Sequence, residues 1–454
     1  VIELKKVLIL AAGLGKRMNS PRPKVVHEVL GKPLLNWTID VAKEAKADEI
    51  GIVLGHGAEL VYPLIPNDVK VFIQKSQLGT ADAVKAAKDF LNGKVVILYG
   101  DVPLISSEMV NSLFESKANM TVLTAILETP FGYGRIVREN GKVMKIVEEN
   151  EATDDIRKIK EINSGIYAFD SESLIYALDR IKNNNKKGEY YLTDAVEILL
   201  TRGYVVETVE AKNPNSVLGV NTQKELATLI KNVKDDINNA LMDAGVTIED
   251  PQTTFVGPDV IVESGAVLKP LTFIYGKSRI SSNAVIGPET TIVDCTVGNN
   301  TFVIRSDCSG SVIGNNCSIG PFSRLRPGTL IEDNVKIGNY VEVKNSHLSK
   351  GVKSQHLTYL GDATIGEDTN IGAGTITCNY DGIRKNKTFI GKNVFVGSNT
   401  ALVAPVTVGD GALIGAGSTI TDDVPAYALA LGRAKQLNKE DWVLKKRRDS
   451  SDEK

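Results

Sequence analysis

Cysteine is scarce in this sequence, and an excess of charge of either sign is missing. The 454 residues include four cysteines, Cys295, Cys308, Cys317 and Cys378, with neither metal-ligand spacing nor an obvious pairing scheme. That argues against a disulfide framework or a cysteine-held metal, and a reduced, cytoplasmic protein is expected. Fifty-three basic residues stand against fifty-five acidic ones, a net charge of −2. The composition therefore offers no nucleic-acid or membrane-surface patch and fits small or phosphorylated ligands better. Long apolar runs are absent too: none approaches the roughly 20 residues of a membrane span. The run VLIL at 7–10 is far too short for a signal peptide. A chain of this length exceeds one hydrophobic core, so two or more domains are expected.

What the sequence has in abundance is an aliphatic residue at every sixth position of its second half. The ladder reads Val256, Val262, Leu268, Ile274, Ile280, Ile286, Ile292, then Val297 and Val303, then Ile313, Ile319, Leu325, Ile331, Ile337 and Val343. It resumes at Ile365 and Ile371, and again from Ile390 through Val396, Leu402, Val408 and Ile414 to Ile420. Neither an α-helix, with period 3.6, nor an ordinary strand, with period 2, repeats this way. A six-residue period marks a β-helix in which three hexads make one triangular coil. Glycine often follows the ladder residue, as at Gly287, Gly314, Gly338 and Gly415, which suits corners that need backbone freedom.

Upstream of about Asn221, short apolar runs at 7–10, 51–54, 71–73, 95–99 and 121–127 alternate with amphipathic segments. This is the pattern of an α/β domain, a mostly parallel sheet with helices on both faces. A helix is predicted next. Thr222 and Glu225 read as a capping box, Leu226, Leu229, Ile230, Val233, Ile237 and Leu241 share one face, and Gly245 stops it. Such a helix would span about 33 Å as a rigid spacer. Domains are therefore expected at 1–221 and 246–454, with 222–245 as the linker helix. The closing KKRRDSSDEK reads as a solvated, mobile terminus.

The first apolar run leads into LAAGLGKRM, Leu10 to Met18, followed by PRPK at 21–24. A glycine-rich turn leaving a strand lets backbone N–H groups approach phosphates. Two phosphate motifs are excluded: Arg17 stands where a Walker loop needs Ser or Thr, and Met18 where the dinucleotide fingerprint needs its third Gly. Arg17 and Lys24 supply positive charge beside the turn. Asp101 ends the run VVILY and its turn, where open α/β sheets place ligands. With Asn221 it offers the hard oxygen ligands magnesium prefers.

This string, with the Pro23-Lys24 pair behind it, resembles the hallmark of the sugar-nucleotide pyrophosphorylases. Combined with the ladder, essentially the whole chain resembles the bifunctional N-acetylglucosamine-1-phosphate uridylyltransferase/glucosamine-1-phosphate N-acetyltransferase family. The resemblance implies a Rossmann-like nucleotidyltransferase domain, a linker helix and a left-handed parallel β-helix that packs as a homotrimer. It implies that Leu10, Ala11, Ala12, Gly13 and Lys24 contact the nucleotide sugar and that Gln74, Gly79 and Thr80 of QKSQLGT hold the uracil. Tyr99, Gly100 and Asp101 would lie at a strand end, and Gly134, Glu148, Asn163 and Asn221 would bind the sugar or help hold Mg2+. Asp101 and Asn221 are the implied metal ligands. Attack of a sugar 1-phosphate on the α-phosphorus of UTP develops charge on oxygens, so Arg17 and Lys24 are catalytic candidates. Lys16 departs from the family, which often has a small hydroxyl residue there.

The ladder loses its phase twice, and both stretches read as loops extruded from the prism, where a site can be built. The first, between Val343 and Ile365, holds KSQHLTYLG; the second, between Ile371 and Ile390, holds TCNYDGIRKNK. His356, one of only four histidines, stands in the first, and a neutral imidazole can accept a proton near neutral pH. The resemblance makes His356 the general base that deprotonates the amino group of glucosamine 1-phosphate as it attacks acetyl-CoA. It sets Arg326, Lys344, Tyr359 and Asn370 on the sugar phosphate, and Ala373, Asn379, Tyr380, Ser398, Ala416 and Arg433 along the acetyl-CoA groove. The products would be coenzyme A, pyrophosphate and UDP-N-acetylglucosamine. Two other readings stay open at this point: a single-activity pyrophosphorylase whose β-helix regulates or oligomerises, and a nucleotide-sugar-binding assembly factor.

Overall fold

The aliphatic run at 7–10 forms the centre of a strand, Lys5–Ala11 (β1), whose side chains alternate between two cores. The computed structural model describes residues 4–449 other than Leu14. It contains two compact units, the first ending at Val233 and the second beginning at Lys234. In the first unit Val7, Ile9 and Ala11 join one core with helices Leu34–Glu44 and Ser107–Glu115. Leu8 and Leu10 face the other, with helices Thr80–Ala86, Ser171–Leu178 and Ala195–Arg202. The period-2 alternation of a strand thus becomes a sheet covered on both faces.

The remaining strands of this sheet are Glu49–Leu54 (β2), Lys70–Ile73 (β3), Lys94–Tyr99 (β4), Met120–Ile126 (β5), Arg135–Glu139 (β6), Lys142–Val147 (β7), Glu161–Asp170 (β8) and Val206–Glu210 (β9). Their order is β9-β5-β8-β4-β1-β2-β3, with the β6/β7 hairpin attached to β8. All pairs along this order are parallel except those of β8, which runs antiparallel to both β4 and β5. All five apolar runs named above lie in strands, the last ending at Ile126. Leu10 of β1 pairs with Tyr99 of β4. The parallel register therefore sets the glycine-rich turn and the Tyr99-Gly100-Asp101 turn side by side at the carboxyl edge.

The helix spans Gln223–Asp243. Thr222 Oγ1 accepts the Glu225 N–H at 3.2 Å, while the Glu225 carboxylate reaches one residue further back than a capping box requires, to the Asn221 N–H at 2.6 Å. The helix ends in a Schellman motif: Gly245 N–H donates to Met242 O and Val246 N–H to Leu241 O, both at 3.0 Å, with Gly245 at φ +92°. At the far end of the chain, the first residues of the charged tail continue a helix, Trp442–Asp449, exposed from Trp442 through Arg448, in which Lys446 Nζ lies 5.0 Å from the Trp442 ring. Residues 450–454 of that tail, and Leu14 of the glycine-rich turn, lie outside the described residues.

The second unit is a parallel β-helix. Thr254–Val256 pairs with Thr272–Tyr275, which pairs with Thr290–Val293, a step of 18 residues per coil. Every ladder residue is buried in one continuous core. Cys308, fully buried, takes the rung between Val303 and Ile313.

Two expectations need correction here. Glycine after the ladder residue is explained mainly by close approach of neighbouring coils, with backbone freedom needed only at Gly287 and Gly320, both at φ +99°. A Cβ on Gly338 would lie 2.1 Å from Gln355 O, and one on Gly314 2.6 Å from Asp333 Oδ1. The left-handed corners are taken instead by residues such as Asn283, Asn300, Asn316 and Asn334. The two phase breaks also differ in kind. No loop leaves the prism between Val343 and Ile365: Lys336–Lys344 and Lys353–Gly361 pair in parallel, Lys336 with Lys353, a step of 17. One residue fewer shifts the phase, and Leu348, Ser354 and Leu360 carry the ladder through. The second break is a true insertion, since Ala363 pairs with Thr388, a step of 25. The chain between Cys378 and Thr388 forms an excursion pinned by an antiparallel bridge from Tyr380 to Lys385.

Candidate active sites

In the α/β unit, four of the singled-out polar side chains converge. Lys24 forms an ion pair with Asp101 and donates to Asn221 Oδ1 at 3.1 Å; Arg17 Nη2 donates to the same oxygen at 2.8 Å. The loop carrying Asn221 is tied to the β4 turn, because the Val220 N–H donates to Asp101 O at 3.0 Å. Gly219 packs so closely that a Cβ there would sit 3.3 Å from Asp101 Oδ2. Leu10, Ala11 and Ala12 are buried beneath the turn while Gly13 is exposed, with nothing within 4 Å of where its Cβ would be. Backbone there is open to an anion.

A second group lies further along the same carboxyl edge. Gln74 Nε2 donates to Gly79 O at 3.1 Å and to Asp82 Oδ2 at 2.8 Å. Gly79 is at φ +118°, and a Cβ on it would strike Tyr190 O at 2.5 Å, so only glycine fits. Thr80 Oγ1 accepts the Leu192 N–H at 3.0 Å. A Cβ on Gly134 would be 3.6 Å from both Glu148 Oε1 and Asn163 Cβ, which places these three residues together. Asn163 donates to the Tyr167 hydroxyl at 2.7 Å. Burial, then the charges of Glu148 and Asp101, pushes the Tyr99 hydroxyl up.

Glu148 is the strained ionisable group. Burial pushes its carboxyl above the ordinary value of 4.5, against a hydrogen bond from Thr193 and the charge of Lys187, with Asp194 and Glu189 adding to the rise. Below 4.5 the carboxyl is protonated whether folded or not; as pH rises through the raised value, ionisation works against the folded state. Glu148→Gln is therefore expected to raise the melting temperature at pH 7 and to leave it unchanged well below pH 4.5. Calorimetric melts at the two pH values check this, and an equal shift at both would show that the effect is not electrostatic.

In the β-helix, register extends the argument. Ser354, Ile371, Val396 and Ile414 stack on successive coils, so two residues on, His356, Ala373, Ser398 and Ala416 form one column. His356 is exposed on a strand, and among the described residues its imidazole has no hydrogen-bond partner. The column above it carries only the small side chains of Ala373, Ser398 and Ala416, and Arg433 donates to Ala416 O at 2.9 Å at its far end. Past the next corner, Arg326 Nη1 meets Glu342 Oε1 at 2.9 Å, and Glu342 pairs with Tyr359 across the sheet. Asn370 stands at the coil above Lys353. Cys378 is half-buried and free.

Residues that sequence reading passed over complete this region. Lys385, in the insertion, lies against Lys344, whose ammonium is the first cause of its lowered pKa. Asp362 accepts hydrogen bonds from Asn345 at 2.6 Å and Asn379 at 2.5 Å. Burial alone would raise its carboxyl, but these bonds and the charges of Lys344 and Lys385 outweigh it and hold it below the ordinary value. Two ammonium groups in contact make a place for an anion. The signal available beforehand was the basic RKNK of the insertion, whose folding back toward Lys344 no local pattern reveals.

For magnesium, the α/β cluster offers a carboxylate and an amide oxygen, hard donors of the right kind. Among the described residues there is no group of three or more His, Cys, Asp or Glu side chains that could cage a metal. The two donors fit an ion that draws its other ligands from phosphates and water. No described helix is long and apolar enough to cross a membrane.

Residues 7–164 match the MobA-like NTP transferase domain model, and residues 310–345 and 387–422 match the bacterial transferase hexapeptide model. With its parallel coils, the second unit is a left-handed β-helix of that class. The chain is 52% identical over 450 residues to the bifunctional protein GlmU of Fervidobacterium nodosum, covering 98% of each. It is 52% identical to that of Thermosipho africanus, over 97% of this chain and 98% of the relative, and 49% identical to that of Thermotoga maritima, over 98% and 100%. The chain belongs to the GlmU family of bifunctional enzymes, in which a nucleotidyltransferase domain precedes a hexapeptide-repeat acetyltransferase domain.

Proposed function

We propose that the protein makes UDP-N-acetylglucosamine in two steps. The β-helix transfers acetyl from acetyl-CoA to glucosamine 1-phosphate, and the α/β domain then transfers uridylyl from UTP to N-acetylglucosamine 1-phosphate, releasing pyrophosphate. What carries this reading is that each unit holds its own polar cluster, in a chain that aligns with bifunctional relatives over nearly its whole length. The functional domains are taken as 1–221 and 246–454, joined by 222–245.

In the first domain, the turn at Leu10 to Gly13 takes the phosphates on backbone N–H groups, and Arg17 and Lys24 offset the charge that develops during transfer. Gln74, Gly79 and Thr80 hold the uracil; Gly134, Glu148, Asn163 and Asn221 hold the sugar. Asp101 and Asn221 hold Mg2+, which when bound supplies charge neutralisation at the phosphate oxygens. In the second domain, His356 takes a proton from the sugar amine as its nitrogen bonds to the thioester carbonyl carbon and the coenzyme A thiolate leaves. Arg326, Lys344, Tyr359, Asn370 and Lys385 receive the sugar phosphate. Acetyl-CoA follows the small-residue column of Ala373, Ser398 and Ala416, flanked by Asn379, Tyr380 and Arg433.

The assembly is a homotrimer in the cytoplasm. Supporting that, Phe322, Tyr340 and Leu357 occupy left-handed corner positions on successive coils while 47%, 62% and 66% exposed. Bulky apolar side chains in that conformation carry a backbone cost that burial against another copy would offset. The four free cysteines suit a reducing compartment. Supplying glucosamine 1-phosphate, acetyl-CoA, UTP and Mg2+ should release coenzyme A and pyrophosphate in equal amounts, with UDP-N-acetylglucosamine as product. Uridylyl transfer to N-acetylglucosamine 1-phosphate without any acetyl transfer would reduce the protein to a single-activity pyrophosphorylase.

A further inference from the structure

We infer that Lys24 is a built-in counter-cation that occupies the metal-binding oxygens of the nucleotide-free site and gives them up only when a polyphosphate draws it away. The inference rests on the reading of Asp101 and Asn221 as the metal's ligands. Both residues that reading assigns to an ion, through the Asp101 Oδ2 and Asn221 Oδ1 oxygens, are already engaged by cations. Lys24 pairs with Asp101 and donates to Asn221 Oδ1 at 3.1 Å, and Arg17 donates to the same Asn221 oxygen at 2.8 Å. The Lys24 and Asp101 side chains are only 18% and 13% exposed. At that depth a carboxylate without a partner is costly, and Lys24 supplies the partner that compensates it. The oxygens are also held in place without any ion: Glu225 accepts the Asn221 N–H at 2.6 Å, and Asn221 Nδ2 donates to Gly219 O at 3.2 Å.

A divalent ion arriving alone would have to displace an ammonium from its carboxylate and then sit beside both displaced cations. A triphosphate changes the balance, because it offers Lys24 and Arg17 a richer set of anionic acceptors within reach of a four-carbon stem. Once they turn to the phosphates, Asp101 and Asn221 are free. Metal affinity is therefore coupled to nucleotide, and by reciprocity nucleotide affinity to metal.

The test measures Mn2+ binding to the full-length protein without nucleotide, from the electron paramagnetic resonance signal of free Mn2+. Wild type should bind weakly. Lys24→Met should bind at least about tenfold more tightly, since the competing charge is gone from contact distance, whereas Lys24→Arg, which keeps the charge, should stay weak. Adding Asp101→Asn to Lys24→Met should abolish the gain. Equal affinity in wild type, Lys24→Arg and Lys24→Met would overturn the inference; if Asp101→Asn still removed that binding, the metal-site reading would stand. A gain in Lys24→Met that is indifferent to Asp101→Asn would overturn the metal-site reading itself, and the inference with it. Thermal melts verify folding; should Lys24→Met not fold, Lys24→Gln is read by the same criteria.

Discussion

Replacing His356 with Ala is expected to slow acetyl transfer by roughly 10³-fold, within the range that a positioned general base contributes, while uridylyl transfer in the same preparation is unchanged. The expectation follows from position. His356 stands at the foot of the column continued by Ala373, Ser398 and Ala416, on a coil whose backbone pairs in parallel with its neighbours on both sides. Its side chain is exposed and packs no core, so its loss leaves the ladder intact and removes only a proton acceptor. Thiol titration of coenzyme A and a pyrophosphate assay read the two activities separately. Loss of both together would sink the assignment of one chemistry to each unit, and an unchanged acetyl rate would remove His356 as the base.

Asp101→Ala should lower uridylyl transfer by on the order of 10³-fold or more and spare acetyl transfer, because it strips the cluster of its single carboxylate where developing charge must be managed. Part of the effect has a different origin. Removing one partner of a largely buried ion pair leaves Lys24 uncompensated, a cost of about 3–5 kcal/mol when burial is complete and less here. Asp101→Asn, which keeps the shape, separates the two contributions. If both variants lose activity while Asp101→Asn melts near wild type, the loss is chemical. A wild-type uridylyl rate in either variant would take Asp101 out of the metal site.

Particular residues show how far the linear pattern reaches. The aliphatic ladder reports which side chains fill the prism, and each one is buried. Yet the core also accepts Cys308, Ser354 and Thr377, all buried, and at these rungs the pattern falls silent while the coil continues. A 17-residue coil and an insertion look alike as loss of phase, because periodicity counts residues and does not see which backbone groups pair. That is why His356 reads as a loop residue and stands on a strand. Corner glycines mislead in a similar way: Gly338 is required by the carbonyl of Gln355 in the next coil, a neighbour 17 residues away.

By itself the sequence determined the two architectures, the helix between them with its Gly245 stop, and the chemistry each half can host, since those depend on local spacing and on side-chain type. Only tertiary structure decided which of those side chains meet. Arg17 with Lys24, Asp101 and Asn221 come from three separate stretches, and one parallel register together with one backbone hydrogen bond, Val220 N–H to Asp101 O, brings them within contact. Lys344 and Lys385 likewise become a pair because a seven-residue difference between coils, 25 against 18, lets the insertion fold back over the preceding corner. Long-range pairing is set by hydrogen-bond register and close packing, which act between residues far apart in the chain and leave no periodic trace in it.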